Sequence, residues 1–262
     1  MYLLVRFAES DPDVVVFRSA DGALFNIHRQ NLKSTSDGPF AEGFEAVSGE
    51  IVQLTESEET LDVLFTFVYP GVHPILSDLA FDELALLAEA AEKYQVAPAV
   101  SVCRMRMIMI HKEHPLGVLR YADKHGYADL MDLAAPYTLA SSVRQMRRML
   151  SLPTQAAWAD FKETWATTGW PMTADIIADV HSPRYCSIQP IVEQIVETRI
   201  KRCVTSGFLD VDRIFEGLAD MSTQCEGRRA GCASRLDAWK RALKEKVAAI
   251  PPLSGFMSVA DA

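Results

Sequence analysis

Strand-type spacing of apolar residues ends before Val100 in this chain, and that limits the fold more than any single motif. Before that point come short apolar runs and alternating segments, the signature of strands. Val14-Val15-Val16-Phe17 is a continuous apolar run, as in a strand buried on both faces. Asp21-Gly22 is a hairpin turn, because both residues tolerate positive φ. In the next strand Phe25 and Ile27 share one face, and Leu24, Asn26 and His28 share the other. Ile51 to Leu54 reads as a third short strand. Between them, Asp37-Gly38-Pro39 and Gly43 interrupt any long helix.

Helices follow. Thr55 and Glu58 fit a capping box, and Leu61, Leu64, Phe65 and Val68 form one buried stripe behind it. Pro70-Gly71 ends that helix. Asp78 is the candidate cap of the next, whose face is Leu84, Leu87, Ala88 and Ala91. Pro98 opens a further helix carrying Val102, Cys103, Met105 and Met109. Beyond His114-Pro115 every periodic segment is helical. Val118, Tyr121, Ala122 and His125 make one face. Ile188, Val192, Ile195, Val196 and Ile200 mark a long helix, and Leu236, Trp239, Leu243 and Val247 the last one. Ala91-Glu92-Lys93-Tyr94-Gln95-Val96 is echoed by Ala122-Asp123-Lys124-His125-Gly126-Tyr127, which suggests stacked helical pairs.

With 49% apolar residues the chain can bury a core, and 262 residues accommodate one large domain or two modest ones. A net charge of −9 argues against a general nucleic-acid binder. Arg144, Arg147 and Arg148 read as a solvated helix face. Five irregularly spaced cysteines suit a reducing compartment, the cytoplasm or nucleus, better than a disulfide scaffold. No apolar run approaches the roughly 18 residues of a membrane span, and Met1 to Phe7 is too short for a signal segment.

The sequence contains no glycine-rich phosphate loop, nucleophile elbow or paired CxxC, so no cofactor and no catalytic residue is expected. The best metal candidate is Cys225 and Cys232 with His181 and Cys186, at spacings of six and four intervening residues, where structural zinc sites usually hold cysteines two to four apart. Cysteines as small core residues are the plainer reading. Trp158 and Trp165 fall on one helical face, where packing between helices competes with a ligand box that would include Trp170. Met105, Met107 and Met109 alternate too quickly to share one face; partial core filling is weighed there against an adaptable surface. His28 is read as structural, hydrogen-bonded so that it anchors its strand to the following loop.

Five pieces occur in a fixed order: Asp13-Val14-Val15, Phe25-x-Ile27-His28-Arg29, Phe40-x-x-x-Phe44, Phe65-x-Phe67-Val68-Tyr69, and Leu87-x-x-Ala90-Ala91-x-x-Tyr94-x-Val96 with Cys103. Together they resemble a BTB/POZ domain, and the wording around Ala90 to Val96 is similar to a fungal branch with a helical C-terminal region. The resemblance implies a mixed sheet flanked by helices, protein binding and homodimerisation, and no catalysis. It implies a charged dimer pocket at Asp13 and Arg29, with the apolar Leu4 and Phe7 as further interface candidates. For members that serve as adaptors of cullin-type ubiquitin ligases it implies a partner surface at Phe44, Val47 and Glu50. Here that motif reads Ser48-Gly49-Glu50, with Val47 one residue out of place.

The expectation is an α+β chain. A BTB/POZ domain spans 11–107, an all-α domain spans 108–250, and 251–262 is a disordered tail. The alternative function is a ligand- or metal-binding protein or enzyme with its site in the helical half.

Overall fold

The structure is a computed structural model that describes residues 5–6, 13–40, 50–169, 191–192, 194–199, 211–222 and 230–257. The chain divides into two compact units, Met1–Gly117 and Val118–Ala262. It is a mixed α+β protein in which, among the described residues, no strand follows Gln53. The division falls after the expected 107/108 boundary. No helix among the described residues is long and apolar enough to cross a membrane.

The first unit is built on a sheet with strand order β1-β3-β2-β4, from β1 (Val5–Arg6), β2 (Val14–Arg18), β3 (Leu24–His28) and β4 (Ile51–Gln53). β2 and β3 form the expected antiparallel hairpin, with Val15 opposite Ile27 and Phe17 opposite Phe25. β4 runs parallel to β2, and β1 parallel to β3. Gly22 takes φ +95°, and the Ala23 amide donates to Ser19 Oγ at 2.9 Å, which closes the turn. β2 is not buried on both faces as its apolar run suggested. Val15 and Phe17 point into the core, while Val14 and Val16 are half-exposed. The buried face is aromatic: the Phe17 ring lies 5.1 Å from Phe40 and 5.3 Å from Phe65, and Phe25 lies 5.4 Å from Phe65.

Helix α1 (Arg29–Thr35) follows β3 directly, and α2 (Glu58–Thr66) packs on α3 (Phe81–Tyr94), which packs on α4 (Ala97–Ile110). Leu61, Leu64 and Phe65 are fully buried, each contributing about 1.5–3 kcal/mol of apolar transfer. The cap of α2 is Ser57, not Thr55: its side chain accepts from the Thr60 amide. Asp21, in the hairpin turn, adds a second cap by accepting the Glu58 amide on both carboxylate oxygens, at 2.9 and 3.1 Å. Asp78 does not cap α3. It closes a short 3-10 turn, Leu76–Asp78, and at the start of α3 the Ala80 amide donates to Glu83 Oε2 at 2.9 Å.

The sequence echo turns out to be one repeated joint. Gln95 and Gly126 both take left-handed φ, +51° and +74°. The Val96 amide donates to the Ala91 carbonyl at 3.0 Å, and the Tyr127 amide to the Ala122 carbonyl at 2.9 Å. These are matching Schellman terminations. They turn α3 into α4, and α5 (Pro115–His125) into α6 (Ala128–Ala134).

The second unit continues with a 3-10 turn (Ala135–Thr138), α7 (Val143–Met149) and α8 (Leu152–Gly169). Residues 191–192 and 194–199 are helical, followed by α9 (Val211–Phe215), α10 (Leu218–Ser222), α11 (Ala230–Ala248) and α12 (Leu253–Met257). Trp158 is fully buried and donates from Nε1 to Thr138 Oγ1 at 2.8 Å. A further cluster joins Val196, Val211, Ile214, Phe215, Leu218, Trp239 and Leu243, with Leu236 and Val247 packed against it, as the spacing along α11 predicts. Ile188 and Ile200 lie outside the described residues. The expected disordered tail is overturned for residues 253–257. They form α12, and Leu253 is fully buried because its leucine finds an apolar site against α6 and α8.

Candidate interaction surface

At one end of the hairpin the Arg29 amide donates to the Asp13 carbonyl at 2.9 Å. This bond continues the β2–β3 ladder one step beyond the Val14–His28 pair. The ladder therefore places Asp13 and Arg29 side by side at the rim of the two central strands, Asp13 exposed and Arg29 half-exposed. Two oppositely charged residues at such a rim can fix the register of a partner more than they add affinity.

His28, next to Arg29 in sequence and opposite Val14 in the ladder, ties this strand to a distant segment. Its backbone amide donates to Tyr69 Oη at 3.3 Å, and its Nδ1 lies 3.1 Å from the same oxygen. With the proton on Nε2, Nδ1 accepts from the Tyr69 hydroxyl, so one phenol serves both groups. The anchor therefore runs to the segment after α2, not to the loop that follows β3. Burial raises the Tyr69 pKa above its ordinary value and outweighs the lowering effect of the His28 amide. That keeps the phenol a neutral donor.

A second network ties the β4–α2 connection to the end of α3. Tyr94 Oη donates to Glu56 Oε2 at 2.5 Å, and Lys93 Nζ lies 2.8 Å from Glu56 Oε1 and 2.7 Å from Thr55 Oγ1. Burial works against ionisation of Glu56. The bonds from Lys93, Tyr94 and Thr55 outweigh it and hold the carboxyl below its usual value. Burial and the bond to Glu56 push the Tyr94 phenol up to about 12. The Tyr94 ring stacks on Phe40 at 4.5 Å, and Ser36 Oγ donates to the Tyr94 carbonyl at 2.6 Å. This network is scaffold. It fixes α3, and through the Schellman joint α4, relative to the sheet.

Two outward-facing features bear on partner binding. β4 forms one edge of the sheet, with Glu50 exposed just before it and Ile51 41% exposed. On α4, Met105, Ile108 and Met109 form an exposed apolar stripe, while Met107 and Cys103 point into the core. Of the three alternating methionines only Met107 fills core, and Met105 and Met109 lie on the exposed surface. The i, i+3, i+4 spacing of Met105, Ile108 and Met109 was the signal that could have shown it. Leu4, Phe7, Phe44 and Val47 lie outside the described residues, so of the cullin-type surface only Glu50 has a described position.

In the helical half Trp158 is core, and Trp165 packs against the apolar cluster, its buried Nε1 without a hydrogen-bond partner among the described residues. Trp170, His181, Cys186 and Cys225 lie outside the described residues, as does the side chain of Cys232. A cleft of about 300 Å³ is lined by Ser34, Thr35, Asp37, Ala97, Pro98 and Ser101. The Ser34, Thr35 and Ser101 hydroxyls donate to helix carbonyls, at 2.9, 2.8 and 2.9 Å. No protein-family model and no curated protein matches the chain.

Proposed function

We propose that the protein is a protein-interaction module whose N-terminal unit is a BTB/POZ-type domain that self-associates. The observation that carries this reading is the rim of the central hairpin. There Asp13 and Arg29 lie adjacent on a rigid ladder, backed by the His28–Tyr69 anchor. A mixed sheet followed by α2, α3 and α4 agrees with the fold the resemblance implies. The exposed stripe on α4 and the edge strand β4 supply surface for a protein partner. In a two-fold dimer each residue of the pair meets the partner's opposite charge, so the pair sets register.

The test is a charge exchange. Asp13→Arg and Arg29→Asp singly should each weaken self-association at least tenfold in sedimentation equilibrium, and the double variant should recover most of it. Single variants that associate like the wild type would remove this rim from the interface.

A further inference from the structure

We propose that the groove between α6 and α8 is a docking site for short segments of the pattern Leu-Ser-x-Phe, and that the chain's own C-terminal segment occupies it as an autoinhibitory strap. This inference concerns the second unit and stands independently of self-association through the first.

The occupant shows what the groove recognises. Leu253 is fully buried against α6 and α8. Phe256, three residues on, meets Phe161 edge-on with ring centroids 5.9 Å apart and planes at 78°. Between these apolar contacts lies a polar lock. The Asp132 carboxylate accepts the Ser254 amide on Oδ1 and the Ser254 hydroxyl on Oδ2, both at 2.7 Å. A carboxylate reading an N–H and an O–H of one residue selects serine or threonine at that place. Leucine, hydroxyl and aromatic are thus each specified by a separate contact.

The strap is also built to leave. Helix α12 has five residues, far below the roughly 12–15 that an isolated helix needs to persist in water. Its order therefore comes from the groove. It is joined to α11 through the exposed Pro251 and Pro252, whose fixed φ keeps the connection from continuing that helix. A segment tethered this closely competes at an effective concentration of about millimolar. It masks the groove from weak competitors and yields to a segment of the same pattern that binds better. The partner is a protein carrying a proline-preceded Leu-Ser/Thr-x-Phe segment.

The probe is a fluorescein-labelled peptide of residues 250–257, Ile-Pro-Pro-Leu-Ser-Gly-Phe-Met, read by anisotropy against full-length chains. Leu253→Asp removes the buried anchor of the strap, and Ser254→Asp sets a second carboxylate against Asp132. Each should bind the peptide at least tenfold tighter than the wild type, and adding Asp132→Asn should remove about tenfold of that gain. A folded variant, by its melting curve, that gains no binding overturns the proposal, as does a gain insensitive to Asp132→Asn. Ser254→Asp leaves Leu253 in place and decides the matter should Leu253→Asp fail to fold. Light scattering that shows the wild type pairing by exchange of its C-terminal segment, and the released variants as single chains, would assign the groove to a second copy, against the proposal.

Discussion

Tyr94→Phe is the sharpest perturbation of the scaffold beneath the proposed surface. It keeps the ring that stacks on Phe40 and deletes only the hydroxyl that donates to Glu56 at 2.5 Å. A hydrogen bond to a charged group contributes about 1.5–3 kcal/mol. The Tyr94 residue is 5% exposed and the Glu56 side chain 14%, and Glu56 keeps its bonds to Lys93 and Thr55. The lower half of that range applies, about 2 kcal/mol. With an m-value of about 2 kcal/mol/M in urea, the midpoint falls by about 1 M. The effect should depend on pH. The folded-state pKa of Glu56 lies below its ordinary 4.5, so the carboxylate stabilises the fold above that value. That contribution is lost as pH falls through the folded pKa. Once Glu56 is protonated the Tyr94 bond is neutral, and the difference between Tyr94→Phe and wild type shrinks to about 1 kcal/mol. Far-ultraviolet circular dichroism follows the unfolding. Tryptophan fluorescence reports the second unit separately, because Trp158, Trp165, Trp170 and Trp239 all fall there. Equal midpoints at pH 7, or a difference that does not shrink in acid, would refute the account of this network.

Three further sets of substitutions probe the joints and anchors. Gln95→Gly should stabilise the first unit by about 1 kcal/mol by relieving a left-handed residue, less the added freedom of the unfolded chain. Gly126→Gln at the matching joint should do the reverse, and urea midpoints moving the same way for both would contradict the shared termination. Thr138→Val leaves the buried Trp158 Nε1 without an acceptor, so a loss of about 1–3 kcal/mol is expected in fluorescence-monitored unfolding, with Thr138→Ser close to wild type. His28→Ala and Tyr69→Phe should each destabilise by about 1 kcal/mol and combine less than additively; strict additivity in that cycle would separate the two residues.

The hairpin, the third strand and the buried faces of α2, α3, α5 and α11 were legible because each is marked locally, by an apolar run, a turn or a helical stripe. What was misread depends on partners distant in sequence. Asp21 reaches Glu58 and His28 reaches Tyr69 only after the sheet has formed, so local capping rules pointed to Thr55 and to the next loop instead. The joints at Gln95 and Gly126 left a readable trace, and their shared meaning is a helix termination that turns one helix into the next. Helix α12 has no period to detect, and a burial site for Leu253 exists only once α6 and α8 are in place. Of the proposed surface, Asp13 and Arg29 were visible as a charged pair. The stripe on α4 was obscured by the buried Met107 that interrupts it in sequence.

The mass of the protein in solution tests the central claim most directly. Size-exclusion chromatography with light scattering at micromolar concentration should give a mass near twice the 29.1 kDa of one chain. It should fall toward one chain for Asp13→Arg and return for the Asp13→Arg, Arg29→Asp double variant. A mass of one chain that does not rise with concentration, or a dimer indifferent to both charges, would contradict self-association through the hairpin rim.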